Sequence, residues 1–194
     1  MRGLGLFGGT FNPIHSGHLI VAEDARELLC LEKIIFIPSY IPPHKKQITS
    51  SKHRYRMAGL AIKNNPNFEI SDIELKRKGR SYTVDTLREF KKRYTDFELY
   101  FLMGVDQLLE IETWKTPDEV FRLCKVVVLS RPGYEIKNSR TTRMGGYDLM
   151  PIEVTLVDIS STEIKKRVAD GRSFRYLVPQ NVEEYIKKNR LYVK

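Results

Sequence analysis

Leu4-Gly5-Leu6-Phe7-Gly8-Gly9-Thr10-Phe11-Asn12-Pro13-Ile14-His15-Ser16-Gly17-His18-Leu19 is the stretch on which the fold turns. A short apolar run, Leu4 to Phe7, leads into Gly8-Gly9-Thr10, then a turn-forming Asn12-Pro13, then a helix-like segment from Ser16. Strand, glycine turn and helix start, in that order, suit a phosphate group. Glycines let the backbone approach the anion, and the unpaired N–H groups of a helix start donate to it. His15 and His18 stand three residues apart across Gly17, on one side of the first turn. From there imidazoles can donate to the oxygens of a triphosphate as charge builds in a transition state.

Two other readings of the same glycines fail. No Lys followed by Ser or Thr stands at the Walker spacing, which excludes a P-loop. Gly3, Gly5 and Gly8 spell a dinucleotide fingerprint, but only Met1 and Arg2 precede it. A fingerprint must follow a strand, and no acidic residue ends the second strand, which closes on Ile37-Pro38. These glycines belong inside strand one.

Outward from this stretch the chain alternates strand and helix. Residues 16 to 29 place Leu19, Ala22, Ala25 and Leu29 on one helical face. Lys33 to Pro38 is a continuous apolar run after its lysine, as expected of a parallel strand covered on both faces. A βαβ unit at the start of the chain predicts an α/β fold with a doubly wound, mostly parallel sheet. Further strands are expected at Phe68 to Ile73, Glu98 to Met103, Lys125 to Ser130 and Ile152 to Val157. Helices are expected at 52–63, from Thr83 to Tyr94, at Pro117 to Leu123, from Ser160 or Ser161, and at 181–188. Thr83 is a plausible N-cap for its helix. Residues 134–150 show no periodicity and read as a long, mobile loop.

The 194 residues are expected to form one domain, 1–194, with a substantial core. A net charge of +9 favours anionic partners without choosing among nucleotides, nucleic acids and acidic membranes. Cys30 and Cys124 lie far apart in apolar contexts and read as buried free thiols of a reducing compartment. No leader-like segment opens the chain and no apolar run is long enough to span a bilayer, so a cytoplasmic location with no membrane partner is expected. Basic residues interleaved with exposed aromatics are lacking, as is an RNA-binding motif, so no nucleic-acid partner is expected. The oligomeric state stays open, a homo-oligomer included.

The ordered motifs resemble those of the bacterial nicotinate-nucleotide adenylyltransferases, within the superfamily that also holds the class I aminoacyl-tRNA synthetases. They are Gly-Gly-Thr-Phe-Asn-Pro-Ile-His-Ser-Gly-His (8 to 18), Pro-Pro-His-Lys (42 to 45), Ser-Tyr-Thr-Val-Asp-Thr (81 to 86) and Gly-Val-Asp (104 to 106). Trp114, Ser-Arg-Pro-Gly (130 to 133) and Ile-Ser-Ser-Thr-Glu-Ile (159 to 164) complete the set. The resemblance implies a Rossmann-like nucleotidyltransferase fold with a C-terminal helical extension. It also implies adenylyl transfer from ATP, with Mg²⁺, to nicotinate mononucleotide.

On the ATP side it implies catalytic His18 and His15, backbone contacts from Gly8, Gly9, Thr10 and Phe11, and phosphate contacts from Ser160, Ser161 and Thr162. On the mononucleotide side it implies His44, Lys45 and Arg131 near the phosphate, Asp106 at the ribose, and Tyr82, Thr83 and Trp114 around the nicotinate ring. The chain departs from the pattern at Lys165, where the family carries Arg. Arg167 stands two residues on, and either could bind the ATP phosphates. Two rivals remain: a phosphopantetheine adenylyltransferase-like enzyme, which lacks the elements at 42–45, 81–83 and 114, and a non-catalytic basic RNA-binding module.

Overall fold

The computed structural model describes residues 2–42, 48–108, 110–130, 142–144, 146–155 and 157–193. The strands are β1 (Arg2–Gly9), β2 (Lys33–Pro38), β3 (Phe68–Ile70), β4 (Phe97–Gly104), β5 (Lys125–Ser130), β6 (Thr142–Met144) and β7 (Tyr147–Glu153). They form one sheet in the order β3-β2-β1-β4-β5-β7-β6. Six strands run parallel, and β6 alone is antiparallel, on β7. The helices are α1 (Ser16–Leu28), α2 (Ser51–Ile62), α3 (Ile73–Arg77), α4 (Thr83–Arg93), α5 (Val105–Leu108), α6 (Pro117–Leu123), α7 (Ser161–Ala169) and α8 (Gln180–Lys188).

Strand alternation sends side chains to two apolar layers. Ile34 and Phe36 of β2 join Phe7, Leu102, Val127 and residues of α1, α2, α7 and α8 on one face. Ile35 and Ile37 join Leu4, Leu6, Leu99, Phe101, Val126, Val128 and residues of α4 and α6 on the other. Burial on both faces is why these strands read as unbroken apolar runs. Chain order moves outward from β1 to β2 and β3 on one side, and from β4 to β5 on the other. The carboxyl ends of β1 and β4 therefore flank the topological switch point, where open α/β sheets bind ligands.

Several sequence expectations need correction. The last parallel strand is Tyr147–Glu153, not 152–157, and it pairs with β5 from Val126↔Leu149 to Ser130↔Glu153. It and β6 occupy much of the stretch read as a loop, whose residues 134–141 and 145 lie outside those described. Pro151 disguised the strand. It lies past Leu149, the last residue of β7 that β6 pairs, where among the described residues β7 has a neighbouring strand on one side only. The third strand ends at Ile70, and Ser71 to Arg77 turn into α3, with the Ile73 N–H donating to Ser71 Oγ at 3.3 Å. Tyr82, not Thr83, is the N-cap of α4, with extended backbone and no side-chain cap bond. Cys124 is buried, and burial pushes its thiol up to about 12, but Cys30 is exposed. Among the described residues no helix is long and apolar enough to cross a membrane.

One buried charge ties the loops after β1 and β2 together. Arg54 of α2 has no exposed surface. Its guanidinium donates to the carbonyls of Thr10 at 2.8 Å, Tyr40 at 2.9 Å and Thr49 at 2.9 Å. Each buried carbonyl left without its donor costs about 1–3 kcal/mol. Arg54→Ala is therefore expected to lower unfolding free energy by about 3 kcal/mol or more in urea titrations. A loss below about 1 kcal/mol would show that the three carbonyls find other donors.

Candidate functional site

The loop between β1 and α1 is held from every side. Arg54 Nη1 takes the Thr10 carbonyl. The Tyr192 hydroxyl donates to Asn12 Oδ1 at 2.9 Å, and burial pushes that phenol up to about 12, so it stays a donor. Ser161 Oγ donates to the Pro13 carbonyl at 2.8 Å. The Ser16 N–H and hydroxyl donate to the Leu177 and Tyr176 carbonyls at 2.9 and 3.1 Å. Phe11 lies in the left-handed region, φ 46°, and turns its ring over Gly9. A Cβ at Gly9 would sit 2.8 Å from that ring, so only glycine fits.

The two histidines are one unit. His15 is the N-cap of α1 and His18 its third residue, with ring centroids 3.7 Å apart. The His15 backbone N–H donates to His18 Nδ1 at 3.2 Å. That bond makes Nδ1 an acceptor, so in neutral His18 the proton sits on Nε2 and makes it a donor. A Cβ on Gly17 would lie 3.1 Å from His15 Nδ1, which is why a glycine separates the imidazoles. His15 is 7% exposed, its Nδ1 has no hydrogen-bond partner among the described residues, and burial pulls its pKa down to about 4. It is neutral at pH 7.

α7 meets this pair. Ser160 is its N-cap, accepting from the Glu163 N–H at 3.1 Å, and Ser161 instead grips Pro13. A Cβ on Gly17 would lie 3.8 Å from Ile159 Cβ, so the start of α7 abuts the first turn of α1. Two helix N-termini, each with a partial positive charge, thus lie side by side. Thr162 is exposed in the first turn of α7 and Lys165 is half-buried in its second. Arg167 is already engaged, with Nε on Glu163 Oε1 at 3.0 Å and Nη1 on the Ser173 carbonyl at 3.1 Å.

A hollow opens nearby, between the ends of β1 and β4. Gly8, Gly9 and Thr10 line one side, and Tyr82, Thr83, Trp114 and Lys115 the other. Trp114 is half-buried and packs edge-on against Phe101, with centroids 5.9 Å apart, so one face of its ring serves the hollow instead of standing in solvent. Glu74, Ser81 and Thr86 form the base of the hollow. The Thr86 hydroxyl donates to Glu74 Oε1 at 2.6 Å and accepts from Arg77 at 2.9 Å. Burial is the main influence on Glu74 and raises its pKa.

Sequence reasoning passed over Arg54, Glu74, Lys115 and Tyr192. Arg54 alone left a signal, a charge in register with the apolar stripe of Met57, Ala58 and Ile62. His44, Lys45 and Arg131 lie outside the described residues, as does the side chain of Asp106, whose backbone is in α5.

Paired histidines and two converging helix starts at the switch point of a parallel sheet define a nucleotidyltransferase. The family model described as cytidylyltransferase-like matches residues 6–167. The chain is 46% identical to a probable nicotinate-nucleotide adenylyltransferase of Thermoanaerobacter sp. (strain X514), over 98% of this chain and 94% of that one. It is 43% identical to one of Thermus thermophilus, over 97% and 98%. The chain belongs to the nicotinate-nucleotide adenylyltransferase family. Its fold matches that of Plasmodium falciparum nicotinic acid mononucleotide adenylyltransferase, solved with NaAD, at a TM-score of 0.79 and 20% identity, covering 99% of this chain and 98% of that one.

Burial of neutral His15 has a stability consequence. Its folded pKa of about 4 lies below its ordinary 6.5, so the unfolded chain binds the proton more readily. Stability from this group is complete above pH 6.5 and is lost as pH falls through about 4, by up to about 3 kcal/mol. Denaturation from pH 7 to 5, above most carboxylate titration, is expected to show a steeper loss in the wild type than in His15→Asn. Equal slopes would mean that His15 titrates freely.

Proposed function

We propose that the protein transfers the adenylyl group of ATP to nicotinate mononucleotide, yielding nicotinate adenine dinucleotide and pyrophosphate, a step of NAD biosynthesis. The observation that carries this reading is the meeting of the His15–His18 pair with the start of α7, beside a hollow walled by Tyr82, Thr83 and Trp114. The mononucleotide phosphate attacks the α-phosphorus of ATP in line, and the bond to the departing pyrophosphate breaks. The protein forms no covalent bond. It positions two anions and stabilises the charge that builds between them.

His18 Nε2–H donates to the phosphoryl oxygens at the reacting phosphorus, while neutral His15 packs behind it and keeps the ring oriented. Gly8 to Phe11 bring backbone close to the nucleotide. Ser160, Thr162 and the free N–H groups of α7 take the β- and γ-phosphates and then the pyrophosphate. With Arg167 engaged by Glu163, Lys165 is the cation left to meet them. Lys45, His44 and Arg131 at the mononucleotide phosphate and Asp106 at its ribose follow from family resemblance. Mg²⁺ would arrive on ATP and neutralise phosphate charge. Among the described residues no group of three His, Cys, Asp or Glu forms a cage for it, so its ligands would be phosphate oxygens and water.

Purified protein with ATP and Mg²⁺ is expected to release pyrophosphate on addition of nicotinate mononucleotide, and far less with the nicotinamide form. Release with phosphopantetheine instead, or salt-dependent RNA binding without release, would overturn this reading. His18→Ala is expected to lower kcat by about 10²–10³, the loss of one oxyanion donor. A loss under about tenfold would remove His18 from the centre of the reaction.

A further inference from the structure

We propose that the Lys115 side chain is the counter-charge for the nicotinate carboxylate and sets the preference for the acid over the amide mononucleotide. The inference rests on reading the hollow between β1 and β4 as the mononucleotide site. It adds a side-chain determinant in this chain that neither the motifs nor the relatives assign.

The placement of Lys115 carries the argument. It follows Trp114 and lines the hollow, as the only cation among the described residues of that lining. Its ammonium stands 4.9 Å from the centroid of Tyr82, a second lining residue. Nζ lies 2.9 and 3.3 Å from the two oxygens of Asp85, in the first turn of α4. Asp85 is steadied in turn by Arg88 Nη1 at 2.9 Å, and Arg88 by both oxygens of Glu119 at 2.7 and 2.5 Å. A lysine that would otherwise sweep through solvent is thus anchored at the rim, over an aromatic face. With two of its three N–H donors on Asp85, the third is left for the hollow.

The substrate has an anion at each end. Its phosphate must reach the His18 side, where Gly8 to Thr10 line the hollow, so the ring and its carboxylate fall at the Tyr82–Trp114–Lys115 end. There the positive start of α4 adds to the ammonium. The acid in the lining, Glu74, is occupied by the Thr86 hydroxyl at 2.6 Å and faces Arg77 at 3.8 Å. A nicotinamide ring presents a neutral group whose NH₂ would meet another donor, so the same lysine that favours the acid rejects the amide.

The test is kcat/KM for both mononucleotides at saturating ATP in wild type, Lys115→Met and Lys115→Arg. An exposed ion pair contributes little to stability, so the variants are expected to fold, checked by circular dichroism. In Lys115→Met the acid should lose about tenfold or more, through KM, while the amide loses much less, as for a lost hydrogen bond to a charged group. Lys115→Arg should keep most of the ratio. An unchanged acid-to-amide ratio in Lys115→Met, or an equal loss on both substrates, would overturn the proposal. If the wild type fails to turn over the acid at all, the reading of the reaction fails separately. Calorimetric binding of the two mononucleotides to wild type and Lys115→Met then decides the role of Lys115 by the same ratio.

Discussion

The Arg54 guanidinium, enclosed in protein and bonded to three backbone carbonyls, is the constraint on which the site depends. The loops that follow β1 and β2 leave the sheet towards helices on the same face, and the carbonyls that leave the sheet need donors. A planar fork with five N–H groups can serve the Thr10, Tyr40 and Thr49 carbonyls together, which a lysine could not. Burying that charge is costly, and it is tolerated because each of the three nitrogens finds a backbone oxygen. With the Thr10 carbonyl turned inward on Arg54 and the Gly9 carbonyl on the Ser39 N–H, the loop at Gly8 to Thr10 can present backbone to a ligand on its outer side.

Long-range bonds finish what Arg54 begins. Tyr192, from the end of the chain, holds Asn12, and Ser161 holds Pro13. Leu177 and Tyr176 hold Ser16. The C-terminal extension is therefore part of the site's scaffold, and α7 arrives with its N-terminus already docked on the histidine loop. Electrostatics follow from this packing. Enclosure keeps His15 neutral, and a backbone N–H on Nδ1 leaves His18 with its proton on Nε2. In the proposed reaction, transition-state charge would meet donors that need no rearrangement, the condition under which hydrogen bonds are worth most in catalysis.

Local chemistry was legible in the sequence. Glycines, Asn-Pro and paired histidines announced the strand, turn and helix start between β1 and α1, because a close backbone approach restricts residue choice within a few positions. Continuous apolar strands gave the doubly wound sheet for the same reason. What stayed hidden depends on distant partners. Pro151 stands in a strand that only the pairing with β5 reveals, and Tyr192 matters only where the tail folds back on Asn12. Glu74 sits in a five-residue helix too short to show a period, and Arg54 looked like one more surface charge until burial made it a hub. Thr83 resembled a cap by residue type, whereas the extended backbone that defines a cap falls at Tyr82.

A crystal structure with a non-hydrolysable ATP analogue tests the convergence of the two helix starts most directly. The expected density places the triphosphate between His18 Nε2 and the N–H groups at the start of α7, with the α-phosphate nearest His18. A triphosphate bound elsewhere, or touching one helix start without the other, would contradict it.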